Sequence, residues 1–220
     1  MKTPILDVGC GDGHFASLVF DHPVDVGLDP WHTPIHEALA RKGYHWLVEA
    51  DAGKVPFPDE TFGSAFSNSV LEHIPHVDAV LKDTARVLKQ GALFVFCVPN
   101  PRYFSSLGLT HLFGKKYSSF FRKISRVEHA DDPPVWEERL ENAGFTTEKY
   151  WHYFSPQAMR VLEWGHYFGL PSWLIHIVTD RWVLIPKRWN LCLTERFVRP
   201  FASAEEVQDG TFTFYVTRKK

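Results

Sequence analysis

The sequence predicts an α/β chain built on a doubly wound, Rossmann-like sheet, and three observations carry that prediction. Ile5-Leu6-Asp7-Val8 is an apolar run that breaks into glycines and then resumes as Phe15-Ala16-Ser17-Leu18-Val19-Phe20 with helical character. Later apolar runs, several closing on an acid or a small polar residue, alternate with helical stretches as far as Pro99. One of them, Leu93-Phe94-Val95-Phe96-Cys97-Val98, is apolar without alternation, as a strand covered on both faces should be.

Composition agrees with that class. A chain of 220 residues suits one α/β domain (1–220) with room for an elaboration. Hydrophobic residues at 45% and charged residues at 23% predict a packed core. The formal net charge of −2 lacks the basic excess of nucleic-acid-binding proteins, so no nucleic acid partner is expected. Cys10, Cys97 and Cys192 are odd in number and far apart, which suits a reducing cytoplasm without disulfides or structural zinc. His152, His166 and His176 lack metal-ligand spacing, and no metal site is expected. The first strand begins at Ile5, which leaves no signal peptide ahead of it.

The glycine turn indicates the ligand class. Its glycines let the chain reverse sharply and let a ligand lie against bare backbone, while the helix that follows points its free N–H groups into the turn. A dinucleotide fingerprint G-x-G-x-x-G counted from Gly9 and Gly11 needs a glycine where this chain has His14. The glycines instead run Gly9, Gly11, Gly13, preceded by Asp7. Leu6-Asp7-Val8-Gly9-Cys10-Gly11-Asp12-Gly13 resembles the first motif of the class I S-adenosylmethionine-dependent methyltransferases. The resemblance continues to about Pro99, and Val70-Leu71-Glu72-His73-Ile74 is similar to a segment of the subgroup that includes quinone and small-molecule methylases (methyltransferase type 11-like).

That resemblance implies S-adenosylmethionine as cofactor, with Asp7, Gly9 and Gly11, and Cys10 between them, at its methionine end. It also implies a seven-stranded mixed sheet whose last strand is antiparallel and inserted between strands five and six. Members usually carry a helix or more before the first strand to help cover the cofactor. Its absence here suggests a truncated chain or a site covered from elsewhere.

Taken in order, Val24–Asp29 reads as the second strand, and Asp29 at its end is placed to accept both ribose hydroxyls, with Pro30 beside it. Asp29 can also serve simply as an acid at the start of the next helix, read from Pro34 to Lys42 and stopped by Gly43. His45–Ala52 reads as strand three. The resemblance implies that Asp51 accepts from the adenine amino group while the backbone of Ala52 reads the ring. A loop through Val55–Phe62 leads into strand four, Phe62–Val70. Asn68 and Ser69 sit at its C-terminal end, where open α/β sheets bind ligands, and are expected at the cofactor.

His73 has two readings: a general base reaching a substrate hydroxyl or amine, or a turn residue packed against the cofactor's edge, the second being favoured. Val77–Lys89 is an amphipathic helix, with Gly91 as its stop. After strand five, Asn100, Arg102 and Tyr103 are candidates for the acceptor.

Beyond Pro101 the resemblance thins. From Pro101 to Val127 there are six Lys or Arg, no acid, and interleaved aromatics. This basic-aromatic segment, counted as 101–130, suggests an anionic acceptor or peripheral contact with a membrane surface. It can equally pair with Asp131, Asp132, Glu137 and Glu138 just downstream. Pro133–Ala143 is a helix stopped by Gly144, Phe145–Phe154 is strand six, and Thr211–Thr217 is strand seven. Residues 155–209 then form a helical insertion opened by Ser155-Pro156 and broken at Gly169-Leu170-Pro171. It holds Trp164, Trp173, Trp182 and Trp189, which makes it a lid on its own core, a dimer surface or an interfacial anchor. Its apolar run is too short and polar to span a bilayer.

The expectation is a cytoplasmic S-adenosylmethionine-dependent methyltransferase, monomer or homodimer. It would act on a small hydrophobic or amphipathic acceptor such as a lipid, a quinone-like molecule or an aromatic acid. The alternative is a non-catalytic protein of the same fold that binds S-adenosylmethionine or S-adenosylhomocysteine. The three carboxylates Asp7, Asp29 and Asp51 argue for the enzyme.

Overall fold

The computed structural model describes residues 1–165, 177, 195–201 and 205–220. Seven strands form one sheet in the order β3-β2-β1-β4-β5-β7-β6. These are β1 (Ile5–Val8), β2 (Val24–Asp29), β3 (Tyr44–Glu49), β4 (Phe62–Asn68), β5 (Leu88–Pro99), β6 (Phe145–Tyr153) and β7 (Phe212–Lys219). The pairs β1–β2, β1–β4, β2–β3 and β4–β5 are all parallel. β7 is antiparallel and sits between β5 and β6, as the sequence led us to expect.

Among the described residues the helices numbered here are α1 (His14–Val19), α2 (His32–Arg41), α3 (Val77–Val87), α4 (Arg102–Ser105), α5 (Thr110–Ser125) and α6 (Pro133–Ala143), and 156–165 is a further helical stretch. Several ends differ from the expected ones. α2 begins at His32 and closes on Lys42 in the left-handed conformation (φ 57°), so Lys42 and not Gly43 makes the stop. α3 ends at Val87, and β5 starts at Leu88 rather than Leu93. Gly91 (φ 69°) therefore lies inside the strand, where the β4–β5 register jumps from Phe62↔Leu88 to Ser64↔Leu93. The α6 bounds match expectation. Pro133 starts the helix at a position that tolerates a missing N–H, and Gly144 (φ 92°) ends it by donating to the Glu141 and Leu140 carbonyls.

Contacts divide the chain into two compact units. The first comprises residues 1–100, 126–151 and 213–220, and the second 101–125 and 152–212. The first unit's core lies under the sheet, where Leu6, Val8, Phe94 and Phe96 meet Val80 and Leu81 of α3 and Trp136 and Leu140 of α6. Phe96 stacks on Tyr215 at 4.8 Å between ring centroids and on Phe94 at 5.2 Å. Burying side chains of this size contributes about 1.5–3 kcal/mol each, which fixes the strand ends that build the site.

The second unit is held by a buried carboxylate. Glu163, in the helical stretch 156–165, accepts from the N–H groups of Gly108 (2.6 Å) and Leu109 (3.2 Å) and from the Tyr117 hydroxyl (2.5 Å). Ser155 caps that stretch as its sequence suggests, accepting from Ala158 N–H at 3.2 Å. The expected break at Gly169-Leu170-Pro171, three of the tryptophans (Trp173, Trp182, Trp189) and Cys192 lie outside the described residues.

Candidate cofactor site

Three neighbouring strands deliver their C-terminal ends to one place. β1 and β2 run in parallel register, Val8 beside Leu28, so the glycine turn and the acid that closes β2 arrive side by side. The Leu28 carbonyl accepts from the N–H groups of both Gly9 (2.8 Å) and Cys10 (2.9 Å). Asp29 Oδ2 accepts from Gly11 N–H at 3.0 Å, and its Oδ1 accepts from Trp31 N–H at 2.9 Å. Asp29 thereby braces the turn, and each of its oxygens keeps acceptor capacity for a ligand hydroxyl. The Trp31 bond places Asp29 at the entry to α2, the second of its two sequence readings.

The turn is shaped by two backbone requirements. Gly9 has φ +83°, and a Cβ there would fall 2.3 Å from Val70 Cγ1, so a bare backbone is needed for packing. Gly11 has φ +52°, yet a Cβ there would meet nothing within 4 Å. The open space beside Gly11 belongs to a cavity of about 470 Å³. Of the residues expected at a cofactor, Gly9, Gly11, Asp29, Pro30, Asp51 and Ala52 line it, together with His73. Trp31, Val70, Ile74, Pro75 and His76 complete the wall. Another cavity of about 490 Å³ lies against α3 and α6, but its walls are Asp78, Lys82 and Arg139 with their neighbours, and Arg139 is already paired with Asp78 and Asp131. No strand end reaches it, so it is not the site.

Asp51 opens the 3-10 turn Ala52–Lys54. Its Oδ1 accepts from Gly53 N–H at 2.7 Å and lies 3.4 Å from His76 Nε2. The Gly53 bond, helped by His76, holds this exposed carboxylate below its ordinary range, so it is an anion at neutral pH. His76 and Trp31 are site residues that sequence reasoning missed. His76 reaches Asp51 across 25 positions, and Trp31 follows directly after the Asp29-Pro30 pair, where its position was the available signal.

Asp7 and Cys10 are not cavity walls. Asp7 is buried beneath the turn and accepts from the Tyr44 hydroxyl at 2.6 Å. Burial pushes its carboxyl up to about 7, against the lowering effect of the Tyr44 bond and with some help from the charge of Asp29. Burial, with Asp7 and Asp29 adding to it, likewise holds the Cys10 thiol far above its ordinary range, so it stays protonated. Asn68 lines a separate apolar cavity of about 220 Å³ with Phe15, Phe66, Val95 and Phe214, and accepts from Cys97 Sγ at 3.1 Å. Ser69, in the left-handed region at φ 53°, makes the turn out of β4. Asn100 is buried and donates to Thr213 Oγ1 at 3.2 Å. In the second unit Tyr103 is buried against Phe104, Phe121 and Phe212, and Arg102 is exposed.

His73 is part of the cavity wall, and Glu72 lies buried next to it in the chain. His73 Nδ1 lies 2.9 Å from the Arg126 carbonyl oxygen, which can only accept. Nδ1 therefore carries the proton and Nε2 is left as the basic nitrogen. Glu72 Oε1 is 3.9 Å from Nε2. The Glu72 side chain is buried, and its Oε2 has no partner among the described residues. Burial keeps that carboxyl protonated up to about 8.

Residues 6–96, which build every strand end of this cavity, match the family model for the methyltransferase domain. That match and the relatives below support a class I S-adenosylmethionine-dependent methyltransferase. It is 34% identical over 104 residues to a fatty-acid O-methyltransferase of Mycolicibacterium smegmatis, covering 45% of this chain and 38% of that one. It is 36% identical over 143 residues to a sterol 4-C-methyltransferase of Caenorhabditis elegans, covering 62% and 40%. The chain thus spans about two fifths of the length of these curated relatives. Among solved structures, a Thermotoga maritima S-adenosylmethionine-dependent methyltransferase, possibly acting on histamine, aligns with a TM-score of 0.62 at 15% identity, covering all of this chain and 83% of that one. At that identity the likeness is one of fold.

Proposed function

We propose that this methyltransferase-family chain binds S-adenosylmethionine in the 470 Å³ cavity and transfers its methyl group to a lipid-like acceptor. The observation that carries the reading is the set of strand ends: bare backbone at Gly9 and Gly11, Asp29 closing β2, and Asp51 just past β3, all on one cavity. The residues fit the cofactor, because the space that a side chain at Gly11 would fill is empty and borders two acids suited to hydroxyl and amine donors. When bound, S-adenosylmethionine supplies a sulfonium methyl that is already electrophilic.

This chain's residues then have to bind, orient and exclude water. Gly9 and Gly11 let the methionine end lie against backbone, with Asp7 and Cys10 shaping the turn from below. Asp29 and Pro30 meet the ribose, and Asp51 and Ala52 the adenine. Asn68 and Ser69 hold the β4 exit from which the His73 turn departs. His73 Nε2, with its tautomer fixed by the Arg126 carbonyl, is the group able to take a proton from an acceptor hydroxyl or amine.

The lipid-like acceptor rests on the fatty-acid and sterol substrates named for the two relatives and on the cationic, aromatic character of 101–127. Arg102, exposed and cationic just past β5, is the residue we assign to an acidic acceptor head. The Cys10 thiol, outside any disulfide, suits a reducing cytoplasm. Transfer of labelled methyl from S-adenosylmethionine into the lipid fraction of a cell extract tests the reading. Label in the lipids supports it, label confined to polar metabolites refutes the acceptor class, and no label alongside tight cofactor binding points to a binding protein.

A further inference from the structure

The second unit carries an exposed surface of apolar and cationic side chains on α5. α5 is kinked at Gly114 (φ 58°, ψ −146°), and beyond the kink it runs to Ser125. Tyr117 and Phe121 are its buried residues. Phe120 and Ile124, one turn apart, remain 51% and 41% exposed, and Leu112 and Phe113 on the near side of the kink are 76% and 63% exposed. On the helix Phe120 is flanked by Lys116 four positions before it and Lys123 three positions after it, both exposed.

The charges here have one sign. Between Pro101 and Val127 there is no acid. Of the downstream acids, Asp131 pairs with Arg139 at 2.7 Å and His129 at 3.5 Å. Among the described residues no ion pair involves Lys115, Lys116 or Lys123. A solvated helix face mixes its signs, and a monomer's exposed aromatics are usually scattered rather than ranked beside lysines.

We infer that α5 is an interfacial element that docks on the surface of an anionic lipid bilayer, its Phe120–Ile124 side entering the headgroup region while Lys116 and Lys123 meet lipid phosphates. Exposed apolar side chains set among unpaired cations are the combination such a surface takes up. A nucleic acid or other soluble polyanion would engage the lysines and have no use for Phe120 and Ile124. The inference stands apart from the methyl-transfer reading and needs no cofactor.

Flotation of the full chain with vesicles tests it. The chain is expected to float with vesicles of phosphatidylcholine and phosphatidylglycerol, not with phosphatidylcholine alone, and to be released by salt. Lys116→Gln with Lys123→Gln should lower partitioning on the order of thirtyfold. Phe120→Ser with Ile124→Ser should lower it at least about tenfold at unchanged charge. All four positions are exposed, and circular dichroism checks that the variants fold. No flotation of the wild type overturns the inference, as does equal flotation with both vesicle types. Loss on the lysine change with none on the Phe120 and Ile124 change also overturns it, and assigns the patch to a soluble polyanion.

Discussion

Glu72→Gln should make this protein more stable at pH 8 while changing little at pH 5. Glu72 is 3% exposed, its Oε2 has no partner among the described residues, and burial keeps its proton on to about pH 8. The unfolded chain loses that proton near the ordinary value of 4.5. Between those two values the folded state binds more protons than the unfolded one, so stability falls as pH rises, by at most about 1.4 kcal/mol per pH unit. It is fully present below 4.5 and lost progressively up to about 8. From pH 5 to pH 8 the limit is roughly 4 kcal/mol. Gln is neutral, like the protonated acid it replaces, and does not lose that stability. For a chain of this length each kcal/mol moves Tm by roughly 2–4 °C, so the gap between variant and wild type should open by roughly 8–16 °C at most. Asp7, raised to about 7 from 3.8, adds a decline of the same sign to both proteins and cancels in the comparison. Thermal melts of both proteins across that range are the assay. A Tm difference that does not change with pH would refute a neutral buried Glu72.

Other outcomes follow from the same geometry. Asp29→Ala should lower S-adenosylmethionine affinity at least about tenfold, since bonds to a charged acceptor contribute about 1.5–3 kcal/mol each and the Gly11 brace is lost with them; unchanged affinity in a folded variant removes Asp29 from the ribose. His73→Gln should slow transfer about a hundredfold or more while cofactor affinity stays nearly constant, and an unaltered rate returns His73 to a packing role. Glu163→Ala strands two N–H groups and the Tyr117 hydroxyl, at a cost of about 1–3 kcal/mol for each group that stays buried. A chemical melt that shifts by less than the smallest of these would show that water replaces the carboxylate.

Where local chemistry decides, the chain could be read directly. Pro133 and Gly144 bound α6 because one tolerates a missing N–H and the other a positive φ, and the acids closing β2 and following β3 lie where parallel strands end. The boundary between α3 and β5 was misread because Leu88, Lys89 and Gln90 continue an acceptable helical pattern. Only the pairing of Leu88 with Phe62 on β4 turns them into strand. Gly91 looked like a helix stop, since a positive φ serves a bulge as well as a cap. Asp7 shows the same limit at the site. Its place in the motif suggests a ligand contact, but the Tyr44 hydroxyl, 37 positions away, takes its carboxylate. The His76 contact to Asp51 and the Arg126 carbonyl that sets the His73 tautomer are likewise products of folding rather than of any local pattern.

The claim that most needs testing is that the cavity beside Gly11 holds the methyl donor. Calorimetric titration with S-adenosylhomocysteine, on the wild type and on Gly11→Val, tests it most directly. A valine at φ +52° costs about 1–2 kcal/mol of strain but meets no protein atom within 4 Å, so the variant should stay folded with its side chain in the ligand's space. The account predicts one-to-one binding by the wild type and none by the folded variant. Equal binding by both proteins, or no heat from either, would contradict it.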